Sequence, residues 1–181
     1  NFMRIAFISL MGGQPWGGSE ALWYKAALHA LEQNNEVMVS IYDWGKKNAP
    51  QVYELIEKGA IIHFREKWMA DESILKKIKR ILAKKWSHFT EDWKQLIQFK
   101  PNSVFISQGG NLDLAMHHQE LYHLMVNNEI GYSIICHSHA QYSNFPDIRW
   151  YHAAKEIFIN ANHVFFVSYR QWHLTERMIC T

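Results

Sequence analysis

Residues 3–41 read MRIAFISLMGGQPWGGSEALWYKAALHALEQNNEVMVSI, and their pattern is the main indication of the fold class. An apolar run, residues 3–9, leads into a glycine-containing loop and then into a segment with helical spacing. A second apolar run, residues 36–41, follows an Asn-Asn pair. Ser19 is predicted as the N-cap of the helix, with Glu20 in the first turn, where the helix dipole favours a negative charge. Strand, helix and strand in this order are typical of a parallel β-sheet.

The same alternation continues along the rest of the chain. Further apolar runs cover residues 60–64, 103–107, 132–136 and 163–167. Helical patterns cover residues 50–58, 112–128 and 148–161, and another starts near 168. Continuous apolar runs are typical of strands buried on both faces, so we predict an α/β fold with a doubly wound, mostly parallel sheet and helices on both faces. His117 and His118 fall on the surface of the predicted 112–128 helix, and residues 65–102 form a connection long enough for a helical insertion.

Composition narrows the class of protein. The chain has 181 residues, a length that fits one domain or one half of a two-domain enzyme. Its 19 basic and 17 acidic residues leave a net charge of +2, which gives no reason to expect nucleic acid as a partner. Its two cysteines form neither a disulfide framework nor a zinc motif, so we expect a reducing cytoplasm. No apolar run reaches the roughly 20 residues that span a bilayer, and no signal peptide is visible.

The loop after the first strand is the strongest local signal. It reads GGQPWGGSE over residues 12–20, which matches neither G-x-G-x-x-G nor a P-loop with its lysine. Glycines before a helix N-terminus let backbone N–H groups approach an anion closely, which makes Gly17 and Gly18 candidate phosphate contacts. The alternative is that these glycines only turn the chain.

Together these segments resemble the N-terminal, acceptor-side domain of a retaining glycosyltransferase of family four, which has the GT-B fold. The resemblance rests on Gly-Gly-Ser-Glu at 17–20 and on VFISQGGNLDL, YSIICHSHAQYS and HVFFVSYRQWHLTERM, which begin at residues 104, 132 and 163. Asn35-Glu36-Val37 departs from the usual Gly-His-x-Val. The likeness covers nearly the whole chain.

This resemblance implies a Rossmann-like domain, residues 1–181, that works opposite a donor-binding domain absent from this chain. The enzyme would transfer a hexose from a nucleotide-sugar to a saccharide or lipid-linked acceptor with retention, in the cytoplasm, without a metal or other cofactor. This domain alone is expected to be inactive. Two alternatives stay open: a non-catalytic α/β ligand-binding module, and half of a GT-B sugar-nucleotide epimerase.

Several polar residues follow the fourth and fifth strands, where ligands of doubly wound folds bind. The resemblance implies that His137 contacts the donor sugar, although a histidine bonded only to its neighbours is the alternative. His139 lies two residues on, and because no third ligand is evident we predict no metal site. The amides of Gln108 and Asn111, with Gly109, suit sugar hydroxyls, and a helix-capping turn is the alternative. Glu20 is a further candidate for the cleft.

Residues 74–86 read ILKKIKRILAKKW and combine an apolar stripe at helical spacing with a dense basic face. Such a helix can lie on an anionic bilayer at the inner face of the membrane. The alternative is a crossover helix whose basic face is solvated. The residues predicted to face the membrane are Lys76, Lys77, Lys84, Lys85 and Trp86.

Liposome flotation tests this membrane prediction. We expect binding to anionic but not to neutral vesicles, because each basic residue near an anionic surface contributes on the order of 1 kcal/mol. Salt should weaken the binding, and changing Lys76, Lys77, Lys84 and Lys85 to glutamate should abolish it. Equal absence from both vesicle types would contradict the prediction.

Overall fold

The structure, a computed structural model, describes residues 2–66, 88–137 and 148–180, without the side chains of 88–92 and 180. The strands are β1 (Arg4–Ser9), β2 (Glu36–Tyr42), β3 (Ile61–Arg65), β4 (Ser103–Gln108), β5 (Tyr132–Cys136) and β6 (His163–Phe166). The α-helices are α1 (Gly18–Glu32), α2 (Pro50–Glu57), α3 (His88–Phe99), α4 (Asp113–His117), α5 (Gln119–Asn127), α6 (Ile148–Asn160) and α7 (Tyr169–Cys180). A 3₁₀ turn covers Gly45–Lys47.

The six strands form one parallel sheet in the order β3-β2-β1-β4-β5-β6. This confirms the predicted α/β, doubly wound fold, and each predicted strand agrees with the observed one to within one residue at either end. β1 lies at the centre, where Ile5 pairs with Val37 on one side and with Ser103 on the other. The strand order therefore reverses between β1 and β4.

Alternate residues of each strand face opposite sides of the sheet and form two cores. Ile5 and Phe7 of β1 face α1 and α2, together with Trp23 and Leu55 of those helices. The opposite core is larger, because it receives side chains from α3, α4, α5 and α6. Its fully buried members include Ala6, Ile8, Leu96, Val104, Ile106, Leu114, Leu121, Met125, Ile134 and Ile157.

The start of α1 differs from the prediction. The helix begins at Gly18 and its N-cap is Gly17 in an extended conformation, so the predicted Ser19 cap is wrong. The Ser19 hydroxyl lies inside the first turn and donates instead to the Glu20 carboxylate. The prediction for α2 is confirmed, since Pro50 occupies its first position, where a missing N–H costs nothing.

The helix predicted over residues 112–128 is interrupted at His118. This residue caps α4 and α5 with φ −137° and ψ 33°, a conformation outside the helical region. Its Nε2 lies 3.2 Å from the hydroxyl of Tyr42, at the end of β2, and its side chain is only 15% exposed. The prediction of a surface position for His118 is therefore wrong, because a tertiary hydrogen bond draws the ring inward.

Three helices end in the same way, with a left-handed residue after the C-cap. These residues are Asn34, Gly59 and Glu129, with φ of 59°, 95° and 55°. In each case the N–H of the left-handed residue and the N–H of the next residue donate to carbonyls of the last turn. At the end of α5, Glu129 donates to Val126 and Ile130 donates to Met125. This is the Schellman arrangement, which glycine and asparagine enter at little cost and glutamate does not.

We expect Glu129→Gly to raise the free energy of unfolding by about 0.5–1 kcal/mol, because it relieves the left-handed strain at the end of α5. Chemical denaturation of the two proteins measures the change. Asn127→Gly is the matched control, since position 127 is still helical, and it should lower the stability by a few tenths of a kcal/mol. A loss of stability in Glu129→Gly would contradict this account.

Candidate functional site

The carboxyl ends of β1 and β4 meet where the strand order reverses, which is where open α/β sheets bind ligands. The chain leaves β1 towards α1 on one face and leaves β4 towards α4 on the other. The two loops therefore diverge and leave a crevice between them. They remain in contact at its base, since a Cβ on Gly109 would lie 3.3 Å from Met11.

Glu20 is placed at the base of this crevice, and its side chain is only 4% exposed. Its Oε1 accepts a hydrogen bond of 2.8 Å from the Ser9 hydroxyl, at the end of β1, and its Oε2 accepts one from Ser19. The Ser9 oxygen in turn accepts a 3.2 Å bond from the backbone N–H of Met11. Glu20 thus fixes the loop after β1 against the first turn of α1.

The N-terminus of α1 carries no side-chain cap, because its N-cap is Gly17. Neither Gly17 nor Gly18 has a positive φ, so the backbone conformation itself does not demand glycine at these positions. The two glycines differ in the free space around their α-carbons. Among the described residues, a Cβ on Gly18 would meet no atom within 4 Å, whereas one on Gly17 would meet only the flexible end of Gln14 closely, at 2.4 Å. The start of the helix is therefore open to a ligand.

His137 directly follows β5 and lies beside β4. Its Nε2 is 2.9 Å from the Ser107 hydroxyl, and no other side-chain hydrogen bond joins it to the described part of the chain. Burial lowers the pKa of His137, while the charge of Glu20 acts in the opposite direction. The imidazole is therefore neutral at physiological pH, and the influence of Glu20 places these two predicted residues in one electrostatic environment.

The two amides after β4 are turned into the protein. Gln108 is completely buried, donates to the Asn111 carbonyl at 3.1 Å and accepts from the Leu114 N–H at 2.8 Å. Asn111 is 2% exposed and donates to the Thr175 hydroxyl of α7 at 2.8 Å. Both side chains thus brace the loop in this conformation, and a direct contact with a substrate would require the loop to rearrange.

Sequence reasoning did not find Arg65 and Tyr42, which end β3 and β2. The guanidinium of Arg65 donates to the Ser9 carbonyl and lies 4.2 Å from the centre of the Tyr42 ring and 5.0 Å from that of Trp93. Both residues directly follow apolar strand residues. In the sequence, this position at the carboxyl end of a strand was the sign that they could belong to the site. Burial raises the pKa of Tyr42, and the Arg65 charge opposes that shift.

Other predicted residues lie outside the described part of the chain. These are His139 and the proposed membrane-facing residues Lys76, Lys77, Lys84, Lys85 and Trp86. Within residues 2–66, 88–137 and 148–180, no group of three His, Cys, Asp or Glu side chains is arranged to hold a metal ion. None of the helices in those ranges combines the length and apolar character needed to cross a membrane.

No protein-family model and no curated protein sequence matches this chain. Among the solved structures that match, two show a weak likeness to this chain. The glycotransferase of kitacinnamycin shares 12% identity at a TM-score of 0.43, over 75% of this chain and 30% of that protein. The leucoanthocyanidin reductase of Vitis vinifera, in complex with NADPH, shares 14% identity at a TM-score of 0.32, over 74% of this chain and 49% of that protein. This chain spans less than half of either protein, and likenesses this weak carry no argument about function.

The lowered pKa of His137 makes stability depend on pH in one direction. As the pH falls through the usual histidine range, about 7 to 5, the unfolded chain takes up a proton that folded His137 resists, so stability falls. His137→Gln keeps a polar group near Ser107 and removes the titration. We expect its unfolding free energy to fall less over that range than that of the wild type.

Denaturation curves at several pH values measure this difference. His152→Gln is the control, because His152 is exposed on α6, and its curves should follow the wild type. The same pH dependence in His137→Gln and the wild type would show that His137 is not protected from protonation.

Proposed function

We propose that this chain is the acceptor-side domain of a GT-B glycosyltransferase of the family-four type. It would serve the transfer of a hexose from a nucleotide-sugar to a saccharide or lipid-linked acceptor, with retention. The observation that carries the proposal is the pairing, at one edge of the sheet, of the uncapped start of α1 behind Gly17 and Gly18 with His137 held by Ser107. The order of the matching sequence motifs supports the same function.

In this proposal the donor diphosphate meets the start of α1. Backbone N–H groups of the first helical turn point towards the N-terminus, where the helix dipole favours an anion. The open space at Gly18 admits the phosphate oxygens, which a larger side chain would obstruct. The nearby Glu20 carboxylate accepts hydrogen bonds from Ser9 and Ser19, and Arg65 donates to the carbonyl of the same Ser9. These donors and the positive charge of Arg65 reduce the repulsion between the Glu20 carboxylate and the diphosphate.

His137 contacts the donor sugar in this arrangement. Because burial keeps the imidazole neutral, one ring nitrogen can donate and the other can accept a hydrogen bond. Ser107 occupies Nε2, so Nδ1 is the nitrogen that meets a sugar hydroxyl. Catalysis then rests on positioning the sugar and on stabilising charge that develops on it, with a further domain supplying the rest of the donor site.

The kinetics of His137→Ala in the full-length enzyme test this role. We expect kcat to fall by about 100-fold with a much smaller rise in the KM for the nucleotide-sugar, because the contact strengthens in the transition state. Turnover is first sought with a panel of nucleotide-sugars, and the variant is then compared on the active donor.

The control is His152→Ala, which removes an exposed histidine of α6 that has no role in the proposed site and should leave kcat unchanged. A folded His137→Ala enzyme with wild-type kcat would remove His137 from the mechanism. Failure of the full-length protein to turn over any nucleotide-sugar would contradict the proposed function itself.

A further inference from the structure

A narrow cavity lies under the loop after β1, on the side of the crevice away from His137. Its volume is about 10 Å³, which is near the smallest cavity that can admit one water molecule or one hydroxyl group. We call it the tryptophan cavity. Among the residues that line it are Ser9, Trp16, Glu20, Trp23, Tyr42 and Trp44.

Trp23 lies in the second turn of α1 and is 1% exposed. Its indole Nε1–H, the only polar group of the side chain, has no hydrogen-bond partner in the described part of the chain. A buried donor without an acceptor costs about 1–3 kcal/mol, so such groups are rare unless a ligand or water satisfies them. Trp23 also lines the tryptophan cavity, so an oxygen atom bound in that space is the candidate acceptor for this donor.

The other walls suit a hydroxyl group on an apolar ring. The Glu20 carboxylate accepts hydrogen bonds, and a hydroxyl is the smallest group that can accept from Trp23 and donate to such an acid. Trp16, Tyr42 and Trp44 are only partly buried and supply aromatic surface around the polar centre. Walls of apolar and aromatic side chains with a few convergent polar groups are typical of small-molecule sites.

The position of Trp16 is itself fixed by packing. Its ring meets Trp23 edge-on at 5.8 Å between centroids and meets Tyr24 in the same manner at 5.6 Å. Contacts of this kind hold aromatic side chains in one orientation. The rim of the cavity is therefore built by the same helix that presents the unpartnered Nε1–H, and the loop residue Trp16 is docked against it.

We propose that the tryptophan cavity is a saccharide subsite, in which one hydroxyl of a pyranose accepts from Trp23 and donates to Glu20 while the sugar ring rests on Trp16 and Trp44. This inference rests on the proposed function in one respect, that the bound saccharide is the acceptor. The cavity lies between the start of α1 and the ends of β1 and β2, beside the donor contact proposed at Gly18, whereas His137 follows β5.

Nuclear magnetic resonance of the ¹⁵N-labelled full-length protein tests the subsite. The probes are the methyl glycosides of glucose, galactose and N-acetylglucosamine, with glycerol as a hydroxyl compound that lacks a ring. We expect the Trp23 indole N–H signal, identified by its loss in Trp23→Phe, to shift saturably with at least one glycoside and not with glycerol. Trp23→Phe should weaken the binding of that glycoside by about three- to tenfold, because this is what the loss of one neutral hydrogen bond costs in affinity.

Trp172→Phe is the matched control, because Trp172 is 42% exposed on α7 and should leave the affinity unchanged. If Trp23→Phe does not fold, Trp44→Phe at the partly buried rim replaces it. The titration of the wild-type protein with the glycosides then remains the test of the subsite. An unmoved Trp23 signal with all three glycosides would overturn the subsite.

The subsite and the proposed function fail separately. Glycoside binding at Trp23 without turnover of any nucleotide-sugar would leave the subsite standing and remove the transferase. Turnover with an acceptor KM that is the same in wild type and Trp23→Phe would overturn the subsite and leave the transferase.

Discussion

The end of β1 is fixed by two buried charges that share one serine. Glu20, 4% exposed, accepts from the Ser9 hydroxyl, and Arg65, 3% exposed, donates to the Ser9 carbonyl. A buried ion is costly in a protein interior unless its polar atoms are hydrogen-bonded, and here the acid from α1 and the base from β3 each bond a different group of the same serine. This arrangement determines the direction of the loop after β1, the start of α1 and the walls of the tryptophan cavity.

A second serine in the same row of the sheet organises the other half of the crevice. Ser107 of β4 pairs in register with Ser9 of β1, and its carbonyl accepts from the Leu10 N–H at 2.9 Å. Its hydroxyl orients His137. Two neighbouring strands thus carry a serine at the same level near their carboxyl ends. Ser9 bonds the acid of α1, and Ser107 bonds the imidazole after β5. The parallel register places both networks at one level, within a crevice that diverging loops leave open.

The sheet could be predicted from sequence because it depends on local patterns. Each strand is a short apolar run, and the turns around Pro50 and Gly59 carry residues with a strong backbone preference. The site depends on partners far apart in the chain. Arg65 bonds a residue 56 positions earlier, and Tyr42 bonds His118, 76 positions later, and no local pattern specifies either pair.

Errors in the predicted site have a related cause. The amides of Gln108 and Asn111 look suited to a ligand, but backbone groups three and six positions after Gln108 already bond its amide, and the Asn111 Nδ2 already donates to a hydroxyl of α7. A polar side chain next to a strand end can serve the loop or a substrate, and the sequence alone does not distinguish these uses. Trp23 is the opposite case. Its position in a helical segment gives no sign of a polar role, yet its indole N–H has no partner among the residues that the structure describes.

The central position of β1 also has a consequence for the time course of folding on the ribosome. The amide of Arg4 is bonded to the Asn102 side chain, 98 positions later, at the point where β1 and β4 begin to pair. Until β4 leaves the exit tunnel, the nascent β1–β2–β3 unit exposes one long edge and the apolar face of Ala6, Ile8 and Met38. Non-local pairing of this kind is slow and leaves chains prone to aggregation, so this protein should require chaperone protection early in its synthesis.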